Sequence, residues 1–356
     1  MYFSLEVKTK REDFFDMDEE FNTLRSELLD PYTRMVVIKG LRRTGKSSLL
    51  HVALNETGLP HILIDLRLAA PPTPETFYEY FSAELSKFLE DGGLRKALSM
   101  IKGLEVSGLK LEFSEKKPSV IGRVLEEVGR RNRGRQLVLA IDEAQALRYI
   151  RGFGEVLAHI YDYVDGVKIV LTGSEVGLLD RFIGVGNPKA PLFGRAYTEI
   201  VMGRLSSEKA LLFLREGFSQ MRVKVPQPEL EQAIQRLDGV IGWLTYYGHL
   251  RSKGVETALE RAVEDGMKMA AEEFKQFLSI RPVASRRYIE VLKTLVKPST
   301  WSEVKRALST VANVSDKQLS SFLKELVDYG FVEKKNKLYM IADPLLAEAA
   351  RRGAVL

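Results

Sequence analysis

Gly40-Leu-Arg-Arg-Thr-Gly-Lys-Ser-Ser48 brings two glycines, a lysine and two adjacent serines into one short stretch. From Gly40 the spacing Gly-x-x-x-x-Gly-Lys-Ser is that of a P-loop of Walker A type. The chemistry follows from the residue types. Gly40 and Gly45 let the backbone curl so that successive N–H groups point at phosphate oxygens, and a helix starting near Lys46 adds its positive dipole end. Lys46 would reach the β- and γ-phosphates, and the Ser47 hydroxyl would ligate Mg²⁺. Leu41, Arg42, Arg43, Thr44 and Ser48 complete the loop. A glycine turn joining a strand to a helix without a ligand is the alternative. The apolar run Met35 to Ile38 before the loop and Leu49, Leu50 and Ala53 after it argue for the phosphate site.

A second chemical stretch is Gln136-Leu-Val-Leu-Ala-Ile-Asp-Glu-Ala-Gln145. Residues 137 to 141 read as a strand buried on both faces, with two carboxylates at its C-terminal tip, where ligands of open α/β sheets lie. Asp142 would hold Mg²⁺ through water or Ser47, as a Walker B acid does, and Glu143, pointing to the other side, would polarise an attacking water. Two acids capping the following helix are the competing reading. Lys168-Ile-Val-Leu-Thr-Gly-Ser174 is a further central strand ending in small polar residues. There Thr172 or Ser174 would orient water near a γ-phosphate; helix capping is the competing role for Ser174, and the two roles are compatible.

These residues need a scaffold, and its elements are legible in order. Residues 13 to 29 predict an acidic-capped helix with Phe21, Leu24 and Leu28 along one side. Residues 60 to 66 predict a strand, and the turn-rich residues 69 to 74 a helix start with Phe77, Phe81, Leu85 and Phe88 inside. A β-α-β-α order is the mark of a parallel sheet. Residues 104 to 115 alternate around Gly108 and predict a hairpin insertion. Residues 130 to 135 form a basic loop, read as solvated rather than as a nucleic-acid contact. Residues 181 to 191, with Gly184, Gly186, Pro188 and Pro191, predict a mobile loop near the nucleotide, and residues 197 to 202 a last strand.

With 356 residues, 45% of them hydrophobic and 28% charged, the chain predicts two or three soluble domains. It contains no run of about eighteen apolar residues, and its N-terminus lacks a signal-like apolar core, so a cytoplasmic protein without a membrane span is expected. The absence of cysteine excludes disulfides and thiolate chemistry, and His51, His61, His159 and His249 lack zinc spacing. The formal charge is +5. Residues 281 to 356 hold 14 Lys and Arg against 8 Asp and Glu, so the excess sits at the C-terminus.

Gly40 to Ser48, Leu137 to Glu143, Thr172-Gly-Ser174 and Pro191-Leu-Phe-Gly-Arg195 together resemble the archaeal ATPase family, within the STAND-type, AAA+-related P-loop NTPases. The resemblance implies binding of ATP and ADP with Mg²⁺, and a helical segment and a winged helix after the core. The chain carries no guanine-specific Asn-Lys-x-Asp motif, and ATP over GTP rests on the resemblance. By it, Arg195 is a γ-phosphate sensor or arginine finger, acting in its own or a neighbouring subunit. A surface salt-bridging arginine is the alternative. Two departures stand out. Met17 falls where the family's N-terminal Phe-x-x-Arg-Glu box has its arginine, and Trp243 replaces the proline of the lid's Gly-Gly-x-Pro turn.

The expected fold class is α/β: a P-loop NTPase parallel-sheet core, then an α-helical lid and a winged-helix domain. The expected domains are residues 1 to 205, 206 to 281 and 282 to 356. Helices are predicted from Ser207, over 228 to 237, over 243 to 252 and over 255 to 278. The winged helix has helices around 288 to 295, 301 to 308 and 315 to 329 and a wing hairpin over 331 to 341, with Lys334, Lys335 and Lys337 at its tip. The lysines suit DNA phosphate, while the third helix carries no arginine for reading guanine. A protein-docking module is the equal alternative. The expected function is a slow, Mg²⁺-dependent ATPase acting as a nucleotide-controlled switch. Its rivals are a DNA-binding regulator in which ATP only biases conformation and a nucleotide-dependent docking scaffold for a protein partner.

Overall fold

Strands that are apolar on both faces are stable only inside a covered parallel sheet, and the chain builds such a sheet around its two chemical stretches. The computed structural model describes residues 1–69, 73–90, 92–131, 136–310 and 313–354. Residues 70–72 of the predicted turn and 132–135 of the basic loop therefore lie outside the described residues. The chain divides into two units, one of residues 8–40 and 46–202, the other of residues 1–7, 41–45 and 203–356.

The first unit runs α1 (Asp18–Leu29), β1 (Met35–Gly40), α2 (Lys46–Thr57), β2 (His61–Asp65), α3 (Pro74–Ser86) and α4 (Gly92–Leu98). It continues through β3 (Glu105–Ser107), β4 (Lys110–Glu112), α5 (Pro118–Arg131), β5 (Leu137–Asp142), α6 (Phe153–Tyr163), β6 (Val167–Gly173), α7 (Val176–Ile183) and β7 (Thr198–Met202). The strand order is β2-β5-β6-β1-β7, with every pairing parallel. β1, β5 and β6 are buried along their whole length. The register sets Asp65 beside Asp142 and Lys39 beside Gly173, so the C-terminal strand tips share one edge.

β3 and β4 pair as the expected hairpin about Gly108, whose φ of 60° favours glycine. Its Leu111 and Phe113 join the core with Tyr78 and Phe81. One expectation fails: Arg181 to Ile183 are the last turn of α7 rather than loop, because Leu178, Leu179 and Ile183 bury one helical face before Gly184 ends it at φ 89°.

The second unit holds α8 (Ser207–Gln220), α9 (Gln227–Leu237), α10 (Ile241–Ser252) and α11 (Ala258–Ser279). After these come α12 (Ser285–Thr294), β8 (Ser299–Thr300), α13 (Trp301–Ser309), α14 (Asp316–Asp328), β9 (Val332–Lys335), β10 (Leu338–Ile341) and α15 (Pro344–Arg351). The last group is a winged helix: capping boxes at Thr300 and Ser315 start α13 and α14, and β8, β10 and β9 pair antiparallel. The N-terminus is pinned here too. The Phe3 ring fills the space over Gly217 and Gly248, where a Cβ would meet it at 2.3 and 2.4 Å. The helical segment and the winged helix are tied together by Arg281, which bonds Glu325 at 3.0 Å and stacks on Phe277 and Tyr329. No helix among the described residues is long and apolar enough to cross a membrane.

Candidate nucleotide site

β1 delivers the chain to the P-loop and α2 leaves it, as the spacing of Gly40, Gly45 and Lys46 requires. Gly45 sits at φ 94° and Arg43 at φ 65°, an unfavourable conformation for a non-glycine residue. Within the loop the Thr44 hydroxyl donates to the Leu41 carbonyl at 2.9 Å. Lys46 is buried at the first turn of α2. Ser48 is engaged elsewhere, its Oγ accepting from the Lys8 amide at 3.1 Å.

The tip of β5 provides the acids, and the two diverge as expected. Asp142, 2% exposed, accepts from the Ser47 hydroxyl at 2.6 Å on Oδ2 and from the Thr172 hydroxyl on Oδ1. Glu143 sits at φ 55°, in the left-handed region. Its Oε2 accepts from Ser174 Oγ at 2.7 Å, the Ser174 amide at 3.2 Å and Gln145 Nε2 at 2.5 Å. Ser174 therefore holds Glu143 rather than capping a helix; the residue that precedes α7 is Glu175. Glu143 likewise makes no side-chain cap bond to the following turn.

Three partners were not legible in the sequence. Gln145 grips Glu143 while its Oε1 is buried without a partner. Gly173 is needed beside it, because a Cβ there would lie 2.6 Å from that oxygen. Arg67 bonds both Asp65 and Asp142. Arg195 is held by Asp162, with Nε at 3.1 Å from Oδ1 and Nη2 on Oδ2, and by the Pro191 carbonyl. At the N-terminal box position Met17 is buried at φ 55°, and Arg11 supplies the local guanidinium, bonding the Phe14 and Asp16 carbonyls and Asp18.

The P-loop arginines point into the second unit, to which they belong. Arg43 stacks on Trp243 at 4.2 Å, pairs with Glu273 at 2.5 Å and lies 3.8 Å from Asp343. Arg42 reaches Glu273 at 3.3 Å and donates to the Tyr329 carbonyl at 3.0 Å. The Gly242 amide donates to the Arg43 carbonyl at 3.0 Å, and a Cβ on Gly242 would meet Arg43 Cβ at 2.7 Å. Asp343 caps α15 and accepts from Trp243 Nε1; burial pushes its carboxyl above the usual range.

Among the described residues no group of three or more His, Asp or Glu side chains is placed to form a metal cage. Ser47 Oγ and Asp142 Oδ2, two hard oxygens in contact beside the P-loop, would suit Mg²⁺.

A parallel sheet with a glycine loop before a helix and acids at a neighbouring strand tip defines a P-loop NTPase fold. The family model for an ATPase domain predominantly from Archaea matches residues 14–246, and the chain belongs to that family. The model for the C-terminal winged helix-turn-helix domain of MCM proteins matches residues 282–342. A Walker-type ATPase of Pyrococcus abyssi is 31% identical over 99% of this chain and 100% of its own, with a TM-score of 0.80. Aeropyrum pernix ORC1, solved with DNA, is 15% identical over 97% and 93% of the two chains, with a TM-score of 0.44. The Thermotoga maritima RuvB branch-migration motor is 13% identical over 99% of both, at 0.45. No curated protein sequence matches the chain.

Proposed function

We propose that this protein is a slow, Mg²⁺-dependent ATPase whose nucleotide state sets the arrangement of its lid and winged helix, a switch rather than a processive motor. The observation that carries this reading is the bonding of Arg42 and Arg43, both P-loop residues, to Trp243, Glu273, Tyr329 and Asp343 of the lid and winged helix. A loop that must adjust to phosphate is thereby mechanically linked to the segments that would report it. The functional division into core (1 to 205), lid (206 to 281) and winged helix (282 to 356), the STAND-type, AAA+-related assignment and a cytoplasmic site of action belong to the same proposal.

The chemistry assigned to the site is in-line attack of water on the γ-phosphorus, with cleavage of its bond to the β,γ-bridging oxygen and passage of the water proton to Glu143. Lys46 would neutralise charge on the departing β-phosphate, and the P-loop amides of residues 41 to 48 would cradle the phosphates. Ser47 and Asp142 would hold Mg²⁺, which when bound supplies charge to the phosphate oxygens. Ser174 would position Glu143. Arg195 is assigned to sensing the γ-phosphate and would have to leave Asp162 to do so. Three donors on Glu143 Oε2, from Gln145 Nε2 and from the Ser174 amide and hydroxyl, would fix the carboxylate in one orientation.

The test is single- and multiple-turnover ATP hydrolysis with Mg²⁺, with and without duplex DNA. One turnover followed by tightly held ADP is expected. Fast or DNA-stimulated turnover would replace the switch with an enzyme driven by nucleic acid. The second reading, a DNA-binding regulator, is favoured by Lys334, Lys335 and Lys337, all exposed around the β9–β10 turn. It requires DNA affinity that falls steeply with salt, by a log–log slope of about −0.9 per phosphate contact.

A further inference from the structure

Arg67 follows β2 in a short 3-10 turn, Leu66–Ala69, and no motif marks it. Its guanidinium nevertheless lies among the acids of the site. Nε is 2.9 Å from Asp65 Oδ1 and 3.0 Å from Oδ2, Nη2 is 2.6 Å from Asp65 Oδ2, and the same Nη2 is 3.1 Å from Asp142 Oδ2. The Asp65 carboxylate also accepts the Arg67 amide at 2.9 Å, fixing the turn. The cause is the register: β2 and β5 are parallel neighbours with Asp65 directly beside Asp142.

Asp142 Oδ2 thus has two partners, the Ser47 hydroxyl and Arg67. A carboxylate this deeply buried needs a compensating cation. A guanidinium and a divalent cation drawing on one oxygen repel each other. Arg67 differs from a structural ion-pair partner in that its side chain is about half exposed, at 47%, and it has a second acid to retreat to.

We propose that Arg67 is a positioning residue that stands in for the divalent cation at Asp142 Oδ2, so that Mg²⁺ engages only as the guanidinium withdraws onto Asp65. This rests on the assignment of Ser47 and Asp142 to Mg²⁺. In the nucleotide-free protein Arg67 occupies the Asp142 oxygen, and it thereby raises the Mg²⁺ concentration the site requires.

The experiment measures binding of a fluorescent ADP analogue to the full chain, first in EDTA and then titrated with Mg²⁺. Arg67→Gln is expected to lower the Mg²⁺ midpoint about fivefold, the size of one partly exposed charge pair, while affinity in EDTA stays unchanged. Arg67→Lys, which keeps the charge, should remain within about twofold of wild type. Asp65→Asn, which weakens the retreat, should raise the midpoint. An unchanged midpoint in Arg67→Gln overturns the proposal alone. So does a loss of affinity in EDTA, which would make Arg67 a phosphate ligand. Wild-type binding indifferent to Mg²⁺ overturns it together with the Ser47 and Asp142 assignment.

Discussion

Ser47 Oγ donates to Asp142 Oδ2 at 2.6 Å, across 95 residues of sequence. The bond joins the first turn of α2 to the tip of β5 through the two residues that the proposed function assigns to Mg²⁺. β5 is held on both sides, by β2 and β6, which fixes the strand tip that carries Asp142.

Removing either oxygen should therefore separate nucleotide binding from its metal dependence. Ser47→Ala and Asp142→Asn are expected to bind ADP in EDTA as wild type does, yet to lose most of the Mg²⁺ enhancement, by at least about tenfold, a difference of ~1.4 kcal/mol. Calorimetric titration with and without Mg²⁺ checks this. Variants that keep the full enhancement would remove the pair from the metal site.

Glu143 and Asp142 are adjacent yet face different partners, so their substitutions should fail differently. Glu143→Gln is expected to retain ATP binding and to lose hydrolysis by about 10²-fold or more, the usual contribution of a positioned base. Filter binding beside a phosphate-release assay separates the two. Unchanged turnover would take Glu143 out of the mechanism. Ser174→Ala releases one of the donors on Glu143 and should alter turnover in the same assay without weakening ATP binding.

What the sequence disclosed was local. The spacing of Gly40, Gly45 and Lys46 encodes a backbone path, and the apolar run 137 to 141 encodes a buried strand whose acids must emerge at its tip. Those constraints act over a few residues and need no tertiary information. The partners of the same residues do need it. Arg67 meets Asp142 only through the β2–β5 register, and Arg195 meets Asp162 across 33 residues. Trp243, which looked like a departure from a proline turn, supplies the ring on which Arg43 rests. A spacing pattern carries no record of which side chain a helix turns toward which loop.

That last contact carries its own prediction. Arg43→Ala removes a stacked guanidinium and an ion pair with Glu273, each worth about 1 kcal/mol at a half-buried site. A double-mutant cycle with Glu273→Ala should give a coupling of about 0.5–3 kcal/mol in unfolding free energy. Hydrogen exchange reads the functional half. In wild type, nucleotide should change protection in α10 and α15, and in Arg43→Ala that change should be lost while ADP still binds. Undiminished changes in the variant would detach the P-loop arginine from the switch.

A final prediction concerns Lys168, 1% exposed on β6, whose ammonium donates to the Leu28 and Asp30 carbonyls at 2.9 and 2.7 Å and to the Glu27 carbonyl, closing the C-terminal end of α1. Burial pushes this amine down to about 8. Between that value and the ordinary lysine value of 10.5 the unfolded chain binds the extra proton, so the residue makes stability rise with pH across this window. Lys168→Met should abolish that rise. It should also lower stability at pH 7 by about 1–3 kcal/mol, because the helix carbonyls lose their donor and stay buried. Denaturant melts of both proteins from pH 7 to 10 decide the matter. A wild-type stability that stays flat from pH 8 to 10 would mean that the converging carbonyls and the negative end of α1 offset burial and hold the amine near its ordinary value.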